Sequence, residues 1–431
     1  MKNLYKSLLV SMFAVSAVVA QQTPASKQNE TITITGATAH IGNGQVIENS
    51  IIVFKEGTLT YVGTQSQNTG GKTIDASGKH VYPGFIVPNA SLGLSEIDAV
   101  RPTRDFDEIG EIIPHVKAKI AYNAESKVVE SMRPNGVLLA QITPRGGTIS
   151  GTSSVMQLDA WNWEDAVVKA DDGIHLNWPS SFTYGRWWLG EEPGAKPDKK
   201  YMDNVGKIKN FMLEAKAYLN GEQSKKNLPY DAVKGLYNGS QKLFVHTSGK
   251  KEIVDAINFA TSQGIKMVLV HGDQAHLVAD ELVKHKIPVV LDRSHRNPNM
   301  DDEDVRLAYK MAKILIDKGI MVTIGMEGQM ERMNTRNIPF YAGTYAAYGV
   351  PKEEAVKMIT LNAAKVLGID TDFGSLEVGK SATLFISEGD ALDMRTNLIS
   401  HAFIQGRELS LETHQTKLWK RYMNKYHGSG K

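Results

Sequence analysis

The segment PGFIVPNASLG, residues 83–93, is where this chain changes character. Before it, residues 31–81 alternate in a β fashion. TITITGATAHIG, SIIVFKEGTLTYVG and GKHVYPGF read as short strands separated by Gly and Asn turns. The segment itself reads as a strand that stops abruptly at a loop. From residue 243 onward the rhythm is different. KLFVHT, IKMVLVHG, IPVVLD and IMVTIG are apolar strand runs of the kind buried on both faces. Helices are predicted between them at 250–263, near 274–286, and near 302–318 with Val305, Ala308, Ala312 and Leu315 on one face. A last helix is predicted from Pro351 to Leu367. Pro351 suits its first turn, Glu353 and Glu354 favour the positive end of the helix dipole, and Gly368 caps it.

Strand and helix in alternation make a parallel βα array. Four less regular runs precede it: FIVP, GVLLAQITP, SSVMQLDA and GIHLNW. Four and four give the eight strands of a barrel. GSLEVGKSATLFISEGD and ISHAFIQGRELS, within 374–411, return to β alternation, so a sandwich built from both chain ends is the economical reading. Residues 179–230 are long and irregular, with an amphipathic helix near 201–220, and are expected to hold an insertion. Its aromatics Tyr184, Trp187 and Trp188 either cover the barrel mouth as a lid or pack on the barrel rim.

Bulk properties narrow the function. With 49 Lys+Arg against 47 Asp+Glu and no basic block, a nucleic-acid binder is not expected. There is no cysteine, so thiolate ligands and cysteine nucleophiles are excluded. Residues 1–20 carry Lys2 and Lys6, then an apolar run from Leu8 to Ala20 that is short for a membrane span. They read as a signal peptide cleaved after Ala20, which places the protein in the periplasm or outside the cell; an N-terminal anchor is the competing reading. No other run is long enough to span a membrane.

Barrel sites lie at the C-terminal ends of the strands. Those ends carry Asn89, His175, His246, His271, Asp292 and Glu327. One histidine at a strand end is more often a hydrogen-bonded structural residue than a ligand. Two on consecutive strands are less easily dismissed.

GKHVYPGFI, followed by TLNAAKVLGIDTDFGSLEVGKSATLFI at 360–386, resembles the amidohydrolase superfamily, especially its imidazolonepropionase-like and prolidase-like branch. The resemblance runs from about residue 31 to 411. It implies an α/β fold: a distorted (β/α)8 TIM-type barrel over 83–368, with a small β-sandwich from 31–82 and 369–412. It also implies one or two divalent metals, most often zinc, that activate water against a carbonyl. In that family the ligands are a His-x-His pair on the first strand, sometimes a Lys or Glu on the fourth, a His on the fifth, a His on the sixth and an Asp on the eighth.

Carried over by position, the pattern is half present. The first pair falls on Asn89 and Ser91, which are poor zinc ligands. His246 and His271 match the fifth and sixth strands, and His175 is the nearest fourth-strand candidate. Glu327 fits the eighth strand by spacing, while an offset of two selects Gln329.

The resemblance therefore implies a displaced metal site on His246, His271 and Glu327, completed by His175 or Asp292, with Glu327 or Asp273 as general base. Asn89, Trp187, His295 and Arg293 are expected to face substrate. Arg293 and Arg296 beside His295 favour an acidic group on the ligand, or else are solvated surface charge. The reaction expected is hydrolysis of an amide, cyclic amide or dipeptide C–N bond in a small molecule. The competing reading is a catalytically degenerate member that binds a ligand or pairs with an active paralogue; a homodimer is the default assembly. A sugar-cleaving barrel, with Glu327 and Asp292 as its carboxylates, conflicts with the terminal motifs.

Overall fold

Apolar runs bounded by turns become the eight barrel strands of the computed structural model, which describes residues 23–67, 70–192, 194–221, 225–298, 302–326 and 332–428. The predicted signal peptide lies outside these residues. The strands are β1 (Phe85–Ala90), β2 (Val137–Ile142), β3 (Ile149–Gln157), β4 (Val167–Asn177), β5 (Lys242–Thr247), β6 (Met267–His271), β7 (Val289–Leu291) and β8 (Val322–Ile324), in that order round the sheet. The eight predicted runs are all here.

They are not all parallel. β3 runs antiparallel to both β2 and β4, while the remaining neighbours are parallel. β2, β3 and β4 are therefore joined as hairpins rather than as βα units. Gly146 and Gly147 lie between β2 and β3 with φ of +81° and +58°, the left-handed pair that turns a tight hairpin. A Cβ on Gly147 would sit 2.6 Å from the Gly110 carbonyl oxygen, so only glycine fits.

The second half follows the βα rule. Helix α1 (Tyr201–Asn220) crosses from β4 to β5, α2 (Lys250–Gln263) from β5 to β6, α3 (Ala279–Lys284) from β6 to β7 and α4 (Leu307–Asp317) leads into β8. The predicted α2 is matched at both ends, with Gly264 left-handed as its cap. The region near 274–286 is shorter than predicted, a 3-10 turn over Ala275–Val278 and then α3. α4 starts late: Asp304 accepts from the backbone of Arg306, and Val305 is exposed on that turn rather than on the packed face.

Helix α5 (Ile338–Ala347) precedes the predicted 351–367 helix, which is broken into α6 (Lys352–Met358) and α7 (Leu361–Leu367). The break closes the barrel seam. Ile359 gives its carbonyl to the Ile86 amide on β1 at 2.9 Å, and the Asn362 side chain donates to the Val322 carbonyl on β8 at 3.0 Å. A continuous helix would have kept the Ile359 carbonyl for itself. Further on, α8 (His414–His427) follows the sandwich strands.

Inside the barrel, Ile86, Leu139, Val155, Phe244, Val268 and Val290 form an apolar floor sealed by Ala363, Val366 and Leu367 of α7. Two residues nearer the mouth, Leu139 gives way to Gln141, Val155 to Ser153 and Phe244 to His246. Strand period therefore stacks a polar layer directly on the apolar one.

The sandwich joins Ile32–His40, Val46–Lys55, Thr58–Gly63, Lys72–Asp75 and His80–Pro83 with Leu384–Ser387, Ile399–Ile404 and Arg407–Glu408. His80–Pro83 pairs antiparallel with Leu384–Ser387, which ties the two chain ends together. The region from 179 on forms a hairpin, Phe182–Tyr184 against Ala195–Pro197, before α1. Tyr184 and Trp188 are exposed rather than packed on the rim.

Candidate active site

Four neighbouring strand ends bring four side chains into a row. His175 Nδ1 on β4 lies 2.9 Å from His246 Nε2 on β5. His246 Nδ1 lies 3.3 Å from His271 Nε2 at the end of β6. His271 Nδ1 lies 2.7 Å from Asp292 Oδ2, just past β7. His175 is fully buried and stacks on Phe244, with ring centroids 4.8 Å apart and planes 8° from parallel. His271 takes φ +76°, a left-handed conformation that costs a non-glycine residue on the order of 1–3 kcal/mol. Such strain collects at functional sites.

The order of the row determines what it can hold. The Asp292 carboxylate takes the His271 Nδ1 proton, so His271 Nε2 keeps its lone pair. A histidine oriented by a carboxylate on its far nitrogen is the usual ligand arrangement for zinc. The facing pair, His271 Nε2 and His246 Nδ1, is separated by 3.3 Å. Two nitrogens on one tetrahedral zinc lie about 3.3 Å apart. This pair therefore fits one divalent ion. His175, which the sequence pattern offers as a ligand, is placed behind His246 on its other nitrogen. Among the described residues, no three His, Asp or Glu side chains converge on one point. Asp292 Oδ1 is buried and has no hydrogen-bond partner among the described residues. An unsatisfied buried carboxylate oxygen at a strand end is unusual unless it has work to do.

The first-strand corner is closed in another way. Asn89, at φ +56°, is fully buried. Arg145 lies in the loop after β2. Its Nη1 donates to Asn89 Oδ1 at 2.6 Å, its Nη2 donates to the Asn89 carbonyl at 3.0 Å, and the same Nη2 reaches the Met326 carbonyl at 3.5 Å. A guanidinium thus spans the ends of β1 and β8. Ser91 is buried nearby in sequence. The Asn89 amide donates to Gln141 Oε1 at 3.0 Å, and Gln141 Nε2 donates to Asp172 Oδ2 at 2.7 Å. Ser153 donates to Asp172 Oδ1 at 2.9 Å.

Burial pushes the Asp172 carboxyl up to about 6 from an ordinary 3.8, against the pull of its Ser153 and Gln141 donors. Between those two values the folded state holds a proton that the unfolded chain has released. The contribution is complete below pH 3.8 and is lost as pH rises through about 6, a decline of about 3 kcal/mol. Urea unfolding at pH 4.5 and 7.5 should show this component in the wild type and lose it in Asp172→Asn. Equal pH dependence in both proteins would contradict it.

The other predicted residues are distributed around this row. Asp273 Oδ1 accepts from Arg296 Nη2 at 2.5 Å. The same contact makes Arg296 a buried-side partner rather than solvated charge. His295 Nε2 bonds Thr344 Oγ1 at 2.6 Å, and its ring meets Tyr341 edge-on at 5.1 Å. Burial, helped by the nearby Arg293 cation, holds the His295 pKa below its ordinary value, so the ring is neutral at pH 7. Glu327, Gln329 and the Trp187 side chain lie outside the described residues. A cleft of about 790 Å³ opens beside Thr247 and is lined by Trp178, Phe182, Tyr184, Val254 and Gln274. The hairpin aromatics therefore border a space of substrate size, although His175, His246, His271 and Asp292 do not line it.

Sequence reading missed Arg145, Gln141 and Asp172. A signal was available for two of them: polar residues inside strands buried on both faces. Arg145 follows the β2 run directly, at the kind of position where barrel sites are built.

Residues 232–413 match the family model described as the amidohydrolase family. The 5-methylthioadenosine/S-adenosylhomocysteine deaminase of Thermoanaerobacter pseudethanolicus is 26% identical over 380 residues, covering 80% of this chain and 82% of its own length. The imidazolonepropionase of the same organism is 22% identical over 380 residues, covering 81% and 86%. Among solved structures, an amidohydrolase from Thermotoga maritima superposes with a TM-score of 0.75 at 22% identity, covering 88% of this chain and 99% of that one.

Proposed function

Because the chain belongs to the amidohydrolase superfamily, we propose that it is a metal-dependent hydrolase that cleaves a carbon–nitrogen bond of a small molecule from a remodelled, single-metal site. Relatives named as deaminases and as an imidazolonepropionase support this reaction class. The observation that carries the reading is the His246–His271 pair, with facing nitrogens 3.3 Å apart and Asp292 behind His271. His246 and His271 would hold a divalent ion, proposed to be zinc, which would polarise a substrate carbonyl and lower the pKa of a bound water.

The protein's own residues do the rest. Asp292 fixes the His271 tautomer. His175 takes the proton on His246 Nε2 as a hydrogen bond and so holds that ring's plane. Glu327 is the proposed general base, and Asp292 Oδ1, buried and without a hydrogen-bond partner among the described residues, is a second candidate proton acceptor. Arg145 and Asn89 replace the first-strand ligand pair with a fixed positive charge, suited to a carboxylate or a developing oxyanion. His295, neutral at pH 7, and Arg293 extend the binding surface, and Trp187 is proposed to face substrate there. The amide, cyclic amide or dipeptide bonds fit such a site, and residues 1–20 are proposed to direct the protein to the periplasm or outside the cell.

The Arg145–Asn89 closure favours one other reading: a degenerate member that binds a ligand or an active paralogue without turnover. Elemental analysis after zinc repletion separates the two. About one ion per chain is expected in the wild type, and a small fraction of that in His246→Ala. A metal-free wild type at every zinc concentration would support the degenerate reading instead.

A further inference from the structure

Helix α8 spans fourteen residues, HQTKLWKRYMNKYH, and buries none of them. It is well started. Thr413 and Thr416 form a capping box, and the buried Glu130 carboxylate accepts from the His414 amide at 2.6 Å. Its root is therefore fixed to the barrel while its length projects into solvent.

Its two faces differ sharply. At 100° per residue, Leu418, Trp419, Tyr422, Met423 and Tyr426 fall within an arc of about 140°. Trp419 is 62% exposed and Tyr426 69%, so this stripe is left largely uncovered by the described residues. Lys417, Lys420, Arg421 and Lys425 occupy the opposite arc. From His414 to Lys431 the sequence has no Asp or Glu. The Lys425 ammonium sits 5.2 Å from the Tyr426 ring and the Arg421 guanidinium 5.9 Å from the Tyr422 ring, so the cations flank the aromatic stripe at its boundary.

We infer that α8 is a membrane-surface anchor, which lies with its Trp–Tyr–Met stripe in the interface of a bilayer rich in anionic phospholipid. The charge pattern selects this occupant. An interfacial helix combines an apolar face with a cationic one, and Trp and Tyr are the residues that settle at the headgroup boundary. Lysines beside such a face draw it to anionic lipid. A second copy of this chain fits less well, because pairing stripe to stripe would bring two basic arcs together with no acid between them. Among the described residues no helix is long and apolar enough to cross a membrane; the attachment inferred for α8 is to the surface.

Vesicle co-sedimentation of the chain from residue 21 tests this. Phosphatidylglycerol-containing vesicles should bind it at least about ten times more tightly than pure phosphatidylcholine, with binding weakened by salt. Trp419→Ser with Tyr426→Ser, and separately Lys420→Gln with Arg421→Gln and Lys425→Gln, should each reduce binding at least about tenfold. Neither set touches buried residues, and unchanged circular dichroism would verify the fold. The inference is overturned if the wild type ignores anionic vesicles or if both variants bind as well as it does. It is also overturned if sedimentation finds a dimer that only the Trp419/Tyr426 variant dissolves, since a second copy would then cover the stripe.

Discussion

His271→Asn is expected to lose bound metal and at least about 10³-fold in kcat/KM towards any C–N substrate of the wild type, which is about 4 kcal/mol of transition-state stabilisation. Asparagine is the apt replacement because the position is left-handed at φ +76°, a conformation that Asn tolerates. The loss can then be assigned to the imidazole rather than to the backbone. Asp292→Asn keeps the shape but removes the charge that holds the proton on His271 Nδ1, and metal affinity should fall about 10–100-fold. The measurements are metal content, zinc-dependent thermal shift and steady-state rate. A His271→Asn protein that retains full metal and rate would exclude the His246–His271 pair as the centre of the chemistry.

The largest stability effect is expected at Asp159, far from that row. Its carboxylate, 3% exposed, accepts from Arg133 Nη1 at 2.5 Å, from Arg407 Nη1 at 2.8 Å and from the Ala25 amide at 2.9 Å. Arg407 belongs to the sandwich and Arg133 to the barrel, so one acid joins both to the segment before the first strand. Asp159→Ala removes the nearest counter-charge from the buried Arg133 and the part-buried Arg407, a loss of about 3–5 kcal/mol. Urea unfolding should report it as a shift in midpoint. A change below about 1 kcal/mol would mean that water or a neighbouring acid takes over the pairing.

Local signals and long-range ones differ in how far they could be read from the sequence. α1 and α2 were legible because each has an amphipathic face, and α2 ends at a glycine. The eight barrel runs were legible because each is apolar and bounded by turns. The direction of β3 was not, because an apolar strand reads the same whichever way it is paired; only the Gly146–Gly147 turn hinted at reversal. The break between α6 and α7 was hidden for a related reason. It arises from a bond between Ile359 and Ile86, residues far apart in sequence. α5 has too little polar surface for a periodic signal, and α8 carries a stripe that faces solvent.

In the site, His175, His246 and His271 were each visible as strand-end residues. Their order as a row was not, since it depends on the register that sets Phe244 opposite His175 and His246 opposite Val270. The loss of the first-strand pair was plain from Asn89 and Ser91. The guanidinium that occupies that corner required the fold, because Arg145 reaches it from a neighbouring strand's loop.

The reversed third strand also bears on how the chain finds its structure. β2, β3 and β4 are consecutive and pair with one another through short connections, so their contacts close small loops. β1 and β8, by contrast, meet only across nearly the whole barrel sequence, and their seam waits for Ile359 and Asn362. Loop-closure entropy favours the near pairs over the distant ones. The hairpin half is thus suited to form early and serve as a template, with the βα half laid strand by strand onto β4. Asp172 and His175 lie on that edge strand, so the polar layer is half assembled before the last two histidine-bearing strands arrive.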